Sequence, residues 1–204
     1  MAKQHAPATQ RNRDAITDVL AHTLPASGAV LEIAAGTGEH AVFFAGAFPH
    51  LGWHPTDPSH DAVASIAAYR EDYAGDNLAA PLILDAAEPG TWPVAKVRAF
   101  DACVCINMIH ISVWDATIGL FEGCARVLTQ AAPLILYGPY LEADVETTAS
   151  NLEFDQSLKM RNPAWGLRQL HDVDSVASDH GFARVGRYQM PANNLMLVYR
   201  KRSS

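Results

Sequence analysis

The sequence has little of what several classes of protein require. Its 204 residues include only three cysteines, none of them in a Cys-X-X-Cys pair, which argues against a disulfide framework and a zinc ribbon. Cys103 and Cys105 alternate within an apolar run, so we expect both to be buried strand thiols. No apolar stretch approaches the length of a membrane span, and the first residues lack the apolar segment of a signal peptide. We therefore expect a soluble, cytoplasmic protein.

Positive charge is also scarce. The formal net charge is −7, and the one basic cluster is Arg200, Lys201 and Arg202. Because binding to a phosphate backbone requires clustered cations, we expect no nucleic-acid partner. Hydrophobic residues make up 49% of the chain and charged residues 18%, which is typical of a globular protein. We predict a single domain over residues 1–204, with a flexible leader over residues 1–9.

Apolar runs of strand length alternate with segments of helical periodicity through most of the chain. The predicted strands are 29–34, 51–57, 80–86, 100–110 and 132–140, and the predicted helices are 11–24, 38–48, 59–75 and 113–128. Near-continuous apolar strands are typical of parallel sheets that helices cover on both faces. The pattern therefore predicts an α/β, Rossmann-like fold with a doubly wound sheet.

The carboxyl-terminal part departs from this alternation. A long segment, 141–170, and a short helix, 172–181, precede two strands at 182–190 and 194–202. Strands so close in sequence can pair only as an antiparallel hairpin, because a parallel pair needs a long crossover. We therefore predict a seven-stranded sheet that is mostly parallel and ends in an antiparallel hairpin.

The glycine turn after the first predicted strand is the first candidate ligand site. Ligands of open α/β sheets bind at the carboxyl ends of the strands, where the segment AAGTG lies. Gly36 and Gly38 permit a tight turn and a close approach of the backbone to a ligand. Glu32 lies inside the apolar strand, where a structural strand needs no charge. We interpret Glu32 as a contact to the cationic part of a ligand.

Two cofactors compete for this turn. The run GTGEHA, which begins at Gly36, fits the weak dinucleotide pattern GxGxxA and would indicate an NAD-dependent oxidoreductase. Glu32 would repel the pyrophosphate of such a cofactor, and a chain of this length shows no separate substrate domain. S-adenosylmethionine carries a sulfonium and an ammonium but no phosphate, so it suits Glu32 better.

Two further acids lie at or near the ends of the next strands. Asp57 ends the second strand, about twenty residues beyond the turn, where an acid binds ribose hydroxyls. Asp85 nearly ends the third strand and is placed to accept a hydrogen bond from an adenine amino group. A single such acid is more often a helix cap or a loop charge. Together with Glu32 and the terminal hairpin, the two acids favour an adenosine-containing cofactor.

These residues resemble those of class I S-adenosylmethionine-dependent methyltransferases. The run from Glu32 to Gly38, EIAAGTG, resembles the ExGxGxG turn of that class and departs from it at Ala34, so we expect a slightly different turn. The resemblance implies that Asp57 binds the ribose, Asp85 the adenine, and the turn the methionine part. The segments RNRDAI, EIAAGTGEHA, NMIHIS and FDQSLKMRNPAWGLR further resemble an uncharacterised methyltransferase-like family of bacteria and animals.

Residues for the reaction itself are expected at the end of the fourth strand, next to the methyl group. Methyl transfer is a displacement in which acceptor and sulfonium must be held in line. Asn107 is a candidate contact to the cofactor or to the acceptor. His110 is the candidate general base, with a hydrogen-bonded structural role as its alternative. Arg11 and Asn12 are interpreted, mainly from the resemblance, as a lid that binds the cofactor, with an ordinary polar turn before the first helix as the alternative.

The candidate acceptor site lies in and after the fifth strand, where insertions in class I methyltransferases often shape the acceptor pocket. The residues predicted to bind the acceptor are Tyr137, Tyr140, Asn151, Asp155, Lys159, Arg161 and Trp165. Their mixture of charged and aromatic groups suits a small acceptor with charged groups. The alternatives are a solvated amphipathic helix and tyrosines of the core.

The favoured prediction is methyl transfer from S-adenosylmethionine to a small molecule. A cofactor-binding protein without transfer activity is the alternative, and an NAD-dependent oxidoreductase is less favoured. No metal is expected, because the prolines around His50 and His54 prevent the helix that would bring the two rings together. The sequence does not indicate the oligomeric state.

Overall fold

The computed structural model describes residues 3–96 and 99–202. Its first part contains α1 (Pro7–Thr23), β1 (Gly28–Ile33), α2 (Glu39–Ala47), β2 (Leu51–Asp57), α3 (His60–Glu71) and β3 (Leu82–Ile83). The middle contains β4 (Ala102–Ile106), α4 (Trp114–Val127), β5 (Pro133–Gly138), β6 (Tyr140–Leu141) and α5 (Ala149–Arg161). The last part contains β7 (Arg168–Gln169), α6 (Leu170–Asp179), β8 (Phe182–Met190) and β9 (Asn194–Lys201).

Seven of the strands form one sheet in the order β3-β2-β1-β4-β5-β9-β8. The first five strands are parallel, and β9 lies antiparallel between β5 and β8. This confirms the predicted Rossmann-like α/β fold, with its mostly parallel sheet and antiparallel terminal hairpin. Because β1 has β2 on one side and β4 on the other, the strand order reverses at β1, and ligands of such sheets bind at this reversal.

Helices cover both faces of the sheet. Successive residues of β1 point to opposite faces, so Leu31 packs in the core beneath α4 and α6, whereas Val30 packs beneath α1 and α2. All three cysteines are buried and free, which agrees with the prediction for Cys103 and Cys105. Within the part of the chain that the structure describes, no helix is long and apolar enough to cross a membrane.

Several strands are shorter than predicted. β4 ends at Ile106 because Asn107 adopts a φ of 58°, and a 3-10 turn follows at Ile109–Ile111. His110 therefore lies in this turn and not on the strand. The predicted fifth strand is divided, because Tyr140 leaves the main sheet and pairs with β7 through β6. β3 has only two residues, so Asp85 lies just beyond its end.

Much of the predicted flexible leader has a defined structure. Residues 1 and 2 lie outside the described residues, whereas Pro7 begins α1, a position that suits proline because its missing N–H would be unpaired there. The backbone N–H of Gln4 donates to Ser65 Oγ at 2.8 Å, and that of Ala6 donates to Glu39 Oε2 at 2.6 Å. These bonds attach the leader to α3 and α2, next to the glycine turn.

Candidate functional site

A cavity of about 400 Å³, here called the first cavity, lies at the carboxyl ends of the parallel strands, where the strand order reverses. Its volume falls in the range of small-molecule sites. Its walls include the glycine turn, the end of β2, and the segments that follow β3 and β4. Ala6, Ala8 and Thr9 also line it, although the sequence analysis gave these residues no role. The first cavity is the candidate cofactor site.

The glycine turn has three residues in the left-handed region. Gly38 has a φ of 90°, and a Cβ there would lie 2.8 Å from Ile66 Cα, so the packing of α3 excludes a side chain. At Gly36, with a φ of 57°, a Cβ would meet nothing within 4 Å, and this glycine lines the first cavity. Ala34 also has a φ of 57°, so the backbone keeps a conformation that favours glycine despite the alanine. Gly38, predicted to bind the cofactor, is not among the described residues that line the cavity.

Glu32 lies beneath the first cavity and not on its wall. Its side chain is buried, and Oε2 accepts a hydrogen bond from Trp53 Nε1 at 2.6 Å. The pKa of Glu32 is raised to about 8, mainly by burial. The Trp53 hydrogen bond opposes this rise, and the nearby Asp57 adds to it. The carboxyl is therefore largely uncharged at neutral pH. Among the described lining residues Glu32 is absent. Glu32 therefore has Trp53 as its hydrogen-bond partner in this structure, and its contact to a cationic ligand stays a prediction.

The other two predicted acids do line the first cavity. Asp57 Oδ2 accepts from the N–H of Gly36 at 2.9 Å, and its Oδ1 accepts from the N–H of Ser59 at 2.9 Å. Burial raises the pKa of Asp57, whereas these two hydrogen bonds lower it. Asp85 Oδ1 accepts from the N–H of Ala87 at 2.9 Å. The backbone therefore orients both carboxylates, which retain lone pairs for a ligand.

The charges at the first cavity distinguish between ligand classes. The described residues that line it include Asp57 and Asp85 but neither lysine nor arginine. His40 also lines it, and burial lowers the pKa of His40 to about 4, with Glu39 raising it and Arg13 lowering it, so its ring is neutral at pH 7. This lining suits a cationic or zwitterionic ligand better than one that carries phosphates.

A second cavity, of about 770 Å³, adjoins the first. Ala8, Asn107 and Ile111 line both cavities. The walls of the second cavity come from α1, the segment after β4, the end of β5, the first turn of α5 and the turn between β8 and β9. Asn107 thus lies between two spaces of small-molecule size, which is the position that its predicted contact to cofactor or acceptor requires.

The predicted lid residues Arg11 and Asn12 line the second cavity, and neither is among the described residues that line the first. Asn12 Oδ1 lies 2.8 Å from His40 Nε2, and the Asn12 side chain also forms a hydrogen bond with Tyr137. All three of these side chains are buried. Asn12 of α1 therefore contacts one wall residue of each cavity, because His40 lines the first cavity and Tyr137 lines the second.

His110 faces the second cavity. It is 5% exposed, and its ring centroid lies 5.7 Å from that of Phe154 in an edge-on arrangement. Burial, together with the nearby charges of Arg168 and Arg161, lowers the pKa of His110 to about 4. The ring is therefore neutral at pH 7 and able to accept a proton, but it is a weaker base than an ordinary histidine.

The predicted acceptor residues divide into two groups. Tyr137 and Asn151 line the second cavity. The other five are not among the described residues that line either cavity, and these are Tyr140, Asp155, Lys159, Arg161 and Trp165. For the three of these residues on α5, helical periodicity is the reason, since the helix turns Ser150, Asn151 and Phe154 toward the cavity and its charged side chains elsewhere.

The displaced side chains have structural partners. Asp155 forms an ion pair with Lys159, and its Oδ1 accepts from the N–H of Leu167 at 2.8 Å. The Arg161 guanidinium lies 5.5 Å from the centre of the Trp165 ring. These contacts stabilise the connection from α5 to β7. Tyr140 is buried in the core, and burial raises the pKa of its hydroxyl.

The hairpin turn contributes residues that sequence reasoning missed. Residues 191–194 line the second cavity, and Ala192 and Asn193 there have φ values of 55° and 56°. Because β9 runs antiparallel to β5, with Leu195 opposite Gly138, the turn before β9 lies at the carboxyl end of β5. The insertion of the hairpin beside β5 was the signal that would have indicated this placement.

The fold defined by these elements is that of the class I methyltransferases. An O-methyltransferase family protein from Burkholderia thailandensis has a TM-score of 0.74 at 16% identity, over 97% of this chain and 57% of that one. A putative methyltransferase from Bacillus halodurans has a TM-score of 0.72 at 14% identity, over 95% of this chain and 100% of that one. CalO1, a methyltransferase in calicheamicin biosynthesis solved in an SAH-bound form, has a TM-score of 0.67 at 14% identity, over 91% of this chain and 53% of that one.

These identities establish similarity of fold alone, and the chain spans just over half the length of two of these three proteins. The chain belongs to the DUF938 family, described as a protein family of unknown function, and the match covers residues 3–201. The family and the fold together confirm the resemblance to an uncharacterised methyltransferase-like family.

Proposed function

We propose that the protein transfers a methyl group from S-adenosylmethionine to a small-molecule acceptor. The observation that carries this proposal is the pair of adjoining cavities that share Asn107. One cavity has two carboxylates and no cationic side chain among its described lining residues, and the other is large enough for a second small molecule. Two neighbouring sites are what a transfer between two small molecules requires.

The first cavity suits the proposed cofactor in its polar groups. Asp57, held by the N–H groups of Gly36 and Ser59, has the position and lone pairs to accept from ribose hydroxyls. Asp85 offers an acceptor for an adenine amino group, and Gly36 lets the backbone approach the methionine part. Asp57 and Asp85 would lie near the pyrophosphate of NAD with no lysine or arginine among the described lining residues to offset their charge, which disfavours NAD.

The second cavity accounts for the other half of the reaction. Bound S-adenosylmethionine supplies a methyl group on a positively charged sulfur. An acceptor held in the second cavity would form the new bond to the methyl carbon with a lone pair, and the carbon–sulfur bond would break with its electron pair moving to sulfur. Asn107 and Ile111 would flank the reacting atoms, and His110 would accept a proton if the nucleophile carries one. A cofactor-binding protein without transfer activity would need no open acceptor site, so the size of this cavity favours transfer.

Calorimetry on the purified full chain tests the proposal, with S-adenosylmethionine, S-adenosylhomocysteine and NAD as titrants. We expect the first two to bind with dissociation constants on the order of 10 μM or lower, and NAD to show no binding. NAD binding alone, or the absence of binding by all three compounds, would contradict the proposed function.

A further inference from the structure

The second cavity differs in charge from the protein as a whole. The chain carries a net charge of −7, yet none of the described residues that line this cavity is acidic. Arg11 lies on its wall, and within the described chain its guanidinium has no ion-pair partner. Arg161 and Arg168 lie close enough to lower the pKa of His110. The local field therefore favours a negatively charged ligand.

The amino terminus of α5 opens at the same cavity. Its first-turn residues Ser150 and Asn151 line the space, and the preceding Thr148 makes no side-chain capping bond. The N–H of Asn151 donates to the Thr148 carbonyl at 3.0 Å, so the N–H groups without a partner among the described residues are those of Ala149 and Ser150. The helix has 13 residues, and the unpaired N–H groups at such an end carry partial positive charge. Anions bind at helix amino termini for this reason.

His110 gives independent support for a polar ligand. Its ring is almost fully buried and lines the cavity, and no described residue forms a hydrogen bond with it. Buried polar side chains normally have a partner, so a ring without one indicates a group that enters from the cavity. A neutral imidazole has one N–H to donate. Arg11, the start of α5 and His110 thus bring three kinds of donor to one space.

The remaining walls limit the size and shape of the ligand. Ile111, Tyr137, Pro139, Phe154 and Pro191 present apolar and aromatic surface. One arginine among the described lining residues matches a single carboxylate, which a guanidinium binds through two parallel hydrogen bonds. A phosphate group would call for more cations than this lining offers.

We infer that the second cavity binds a small carboxylate with a flat apolar body, and that its carboxylate lies between Arg11 and the amino terminus of α5. This inference rests on the proposed function, because it assigns the cavity to the methyl acceptor. It narrows the acceptor class to aromatic and similarly apolar carboxylic acids that bind as monoanions.

The first test uses three probes of one shape and different charge. Calorimetry on the full chain compares 2-naphthoate with the neutral 2-naphthamide and the cationic 2-naphthylmethylammonium. We expect 2-naphthoate to bind at least about tenfold more tightly than either, because only the anion pairs with Arg11. Equal or tighter binding of the amide or the ammonium, or no binding of 2-naphthoate, would overturn the inference.

Two variants with the same loss of charge then locate the binding. Arg11→Gln should weaken 2-naphthoate binding at least about tenfold. Arg126→Gln should leave it unchanged, because Arg126 lies on α4, pairs with Glu122 and lines neither cavity among the described residues. An unchanged affinity in Arg11→Gln would overturn the inference.

Titration of each protein with S-adenosylhomocysteine separates the two proposals. If the protein binds S-adenosylhomocysteine but not 2-naphthoate, the inferred acceptor class is wrong and the proposed function still holds. If the protein binds 2-naphthoate through Arg11 but does not bind S-adenosylhomocysteine, the proposed function is wrong and the second cavity is only an anion-binding site. If Arg11→Gln weakened S-adenosylhomocysteine and not 2-naphthoate, Arg11 would belong to the cofactor site and the inference would fail.

Discussion

Trp53 Nε1 donates a hydrogen bond to Glu32 Oε2 at 2.6 Å, and both side chains are buried where β1 pairs with β2. A buried indole N–H needs an acceptor, and the Glu32 carboxyl supplies it. This pairing gives the acid within an apolar strand a structural partner. It also makes Glu32 a titrating group of the core.

Glu32→Gln should make the protein more stable than wild type at higher pH. The pKa of Glu32 is about 8 in the folded state and 4.5 ordinarily. The protonated Glu32 therefore contributes its full stability below pH 4.5, and this contribution is lost as the pH rises through about 8. Glutamine keeps an acceptor for Trp53 and does not titrate. Urea unfolding between about pH 5 and about pH 8 should show wild type losing on the order of 1 kcal/mol per pH unit relative to Glu32→Gln. A difference that does not vary with pH would mean that Glu32 is charged in the fold.

Asp57→Asn should weaken S-adenosylhomocysteine binding by about tenfold, equivalent to about 1.4 kcal/mol. Asparagine keeps one acceptor oxygen for the backbone but loses the charge and an acceptor available to ribose hydroxyls. Calorimetry measures the change. Asp61→Asn is the matched control, since Asp61 is exposed on α3 and absent from the described lining of the first cavity, and its affinity should equal that of wild type. Equal affinities in all three proteins would exclude Asp57 from the cofactor site.

The two glycines of the turn should respond differently to alanine. Gly38→Ala should destabilise the fold by more than about 2 kcal/mol, because the new Cβ meets the backbone of α3 at Ile66 in addition to the left-handed strain. Gly36→Ala meets no protein atom within 4 Å and should cost only about 1 kcal/mol, while its methyl group reduces cofactor binding. Urea unfolding and S-adenosylhomocysteine titration of both variants measure these effects. Similar stabilities in the two variants would contradict this account of the turn.

Ala34→Gly should stabilise the protein by a few tenths to about 1 kcal/mol. The alanine has a φ of 57°, a conformation that costs about 1–2 kcal/mol for a residue with a Cβ. Glycine removes that strain but loses more chain entropy on folding, so part of the gain is cancelled. Thermal or urea unfolding measures the net effect. A loss of stability would show that the Ala34 methyl group makes contacts that outweigh the strain.

His110→Ala should leave S-adenosylhomocysteine affinity within about twofold of wild type, since among the described residues His110 lines only the second cavity. Turnover on an identified acceptor should fall, whether the ring accepts a proton or positions the acceptor. Because burial lowers the pKa of His110 to about 4, the wild-type rate should show no step from this residue near pH 6.5. Unchanged turnover in His110→Ala would exclude both roles.

The placement of the Asp57 and Asp85 carboxylates at the first cavity was predictable from local patterns. Asp57 follows an apolar strand, and Asp85 lies just beyond the next, so strand direction alone brings both to one edge of a parallel sheet. Glu32 was different, because its partner Trp53 lies 21 residues away on a neighbouring strand. The register that pairs β1 with β2 determines this contact, and that register cannot be predicted from the sequence of either strand alone.

By itself the sequence determined the α/β alternation, the terminal hairpin and the glycine turn, because these depend on the period of apolar residues, on chain distance and on where glycine is needed. Only the tertiary structure decided which side chains share a cavity. It kept Asp155 and Lys159 off the described wall of the cavity that Asn151 lines, although all three lie on α5, and it brought Asn193 of the hairpin beside Asn151. The physical reason is that helix rotation and strand insertion depend on packing against the whole sheet.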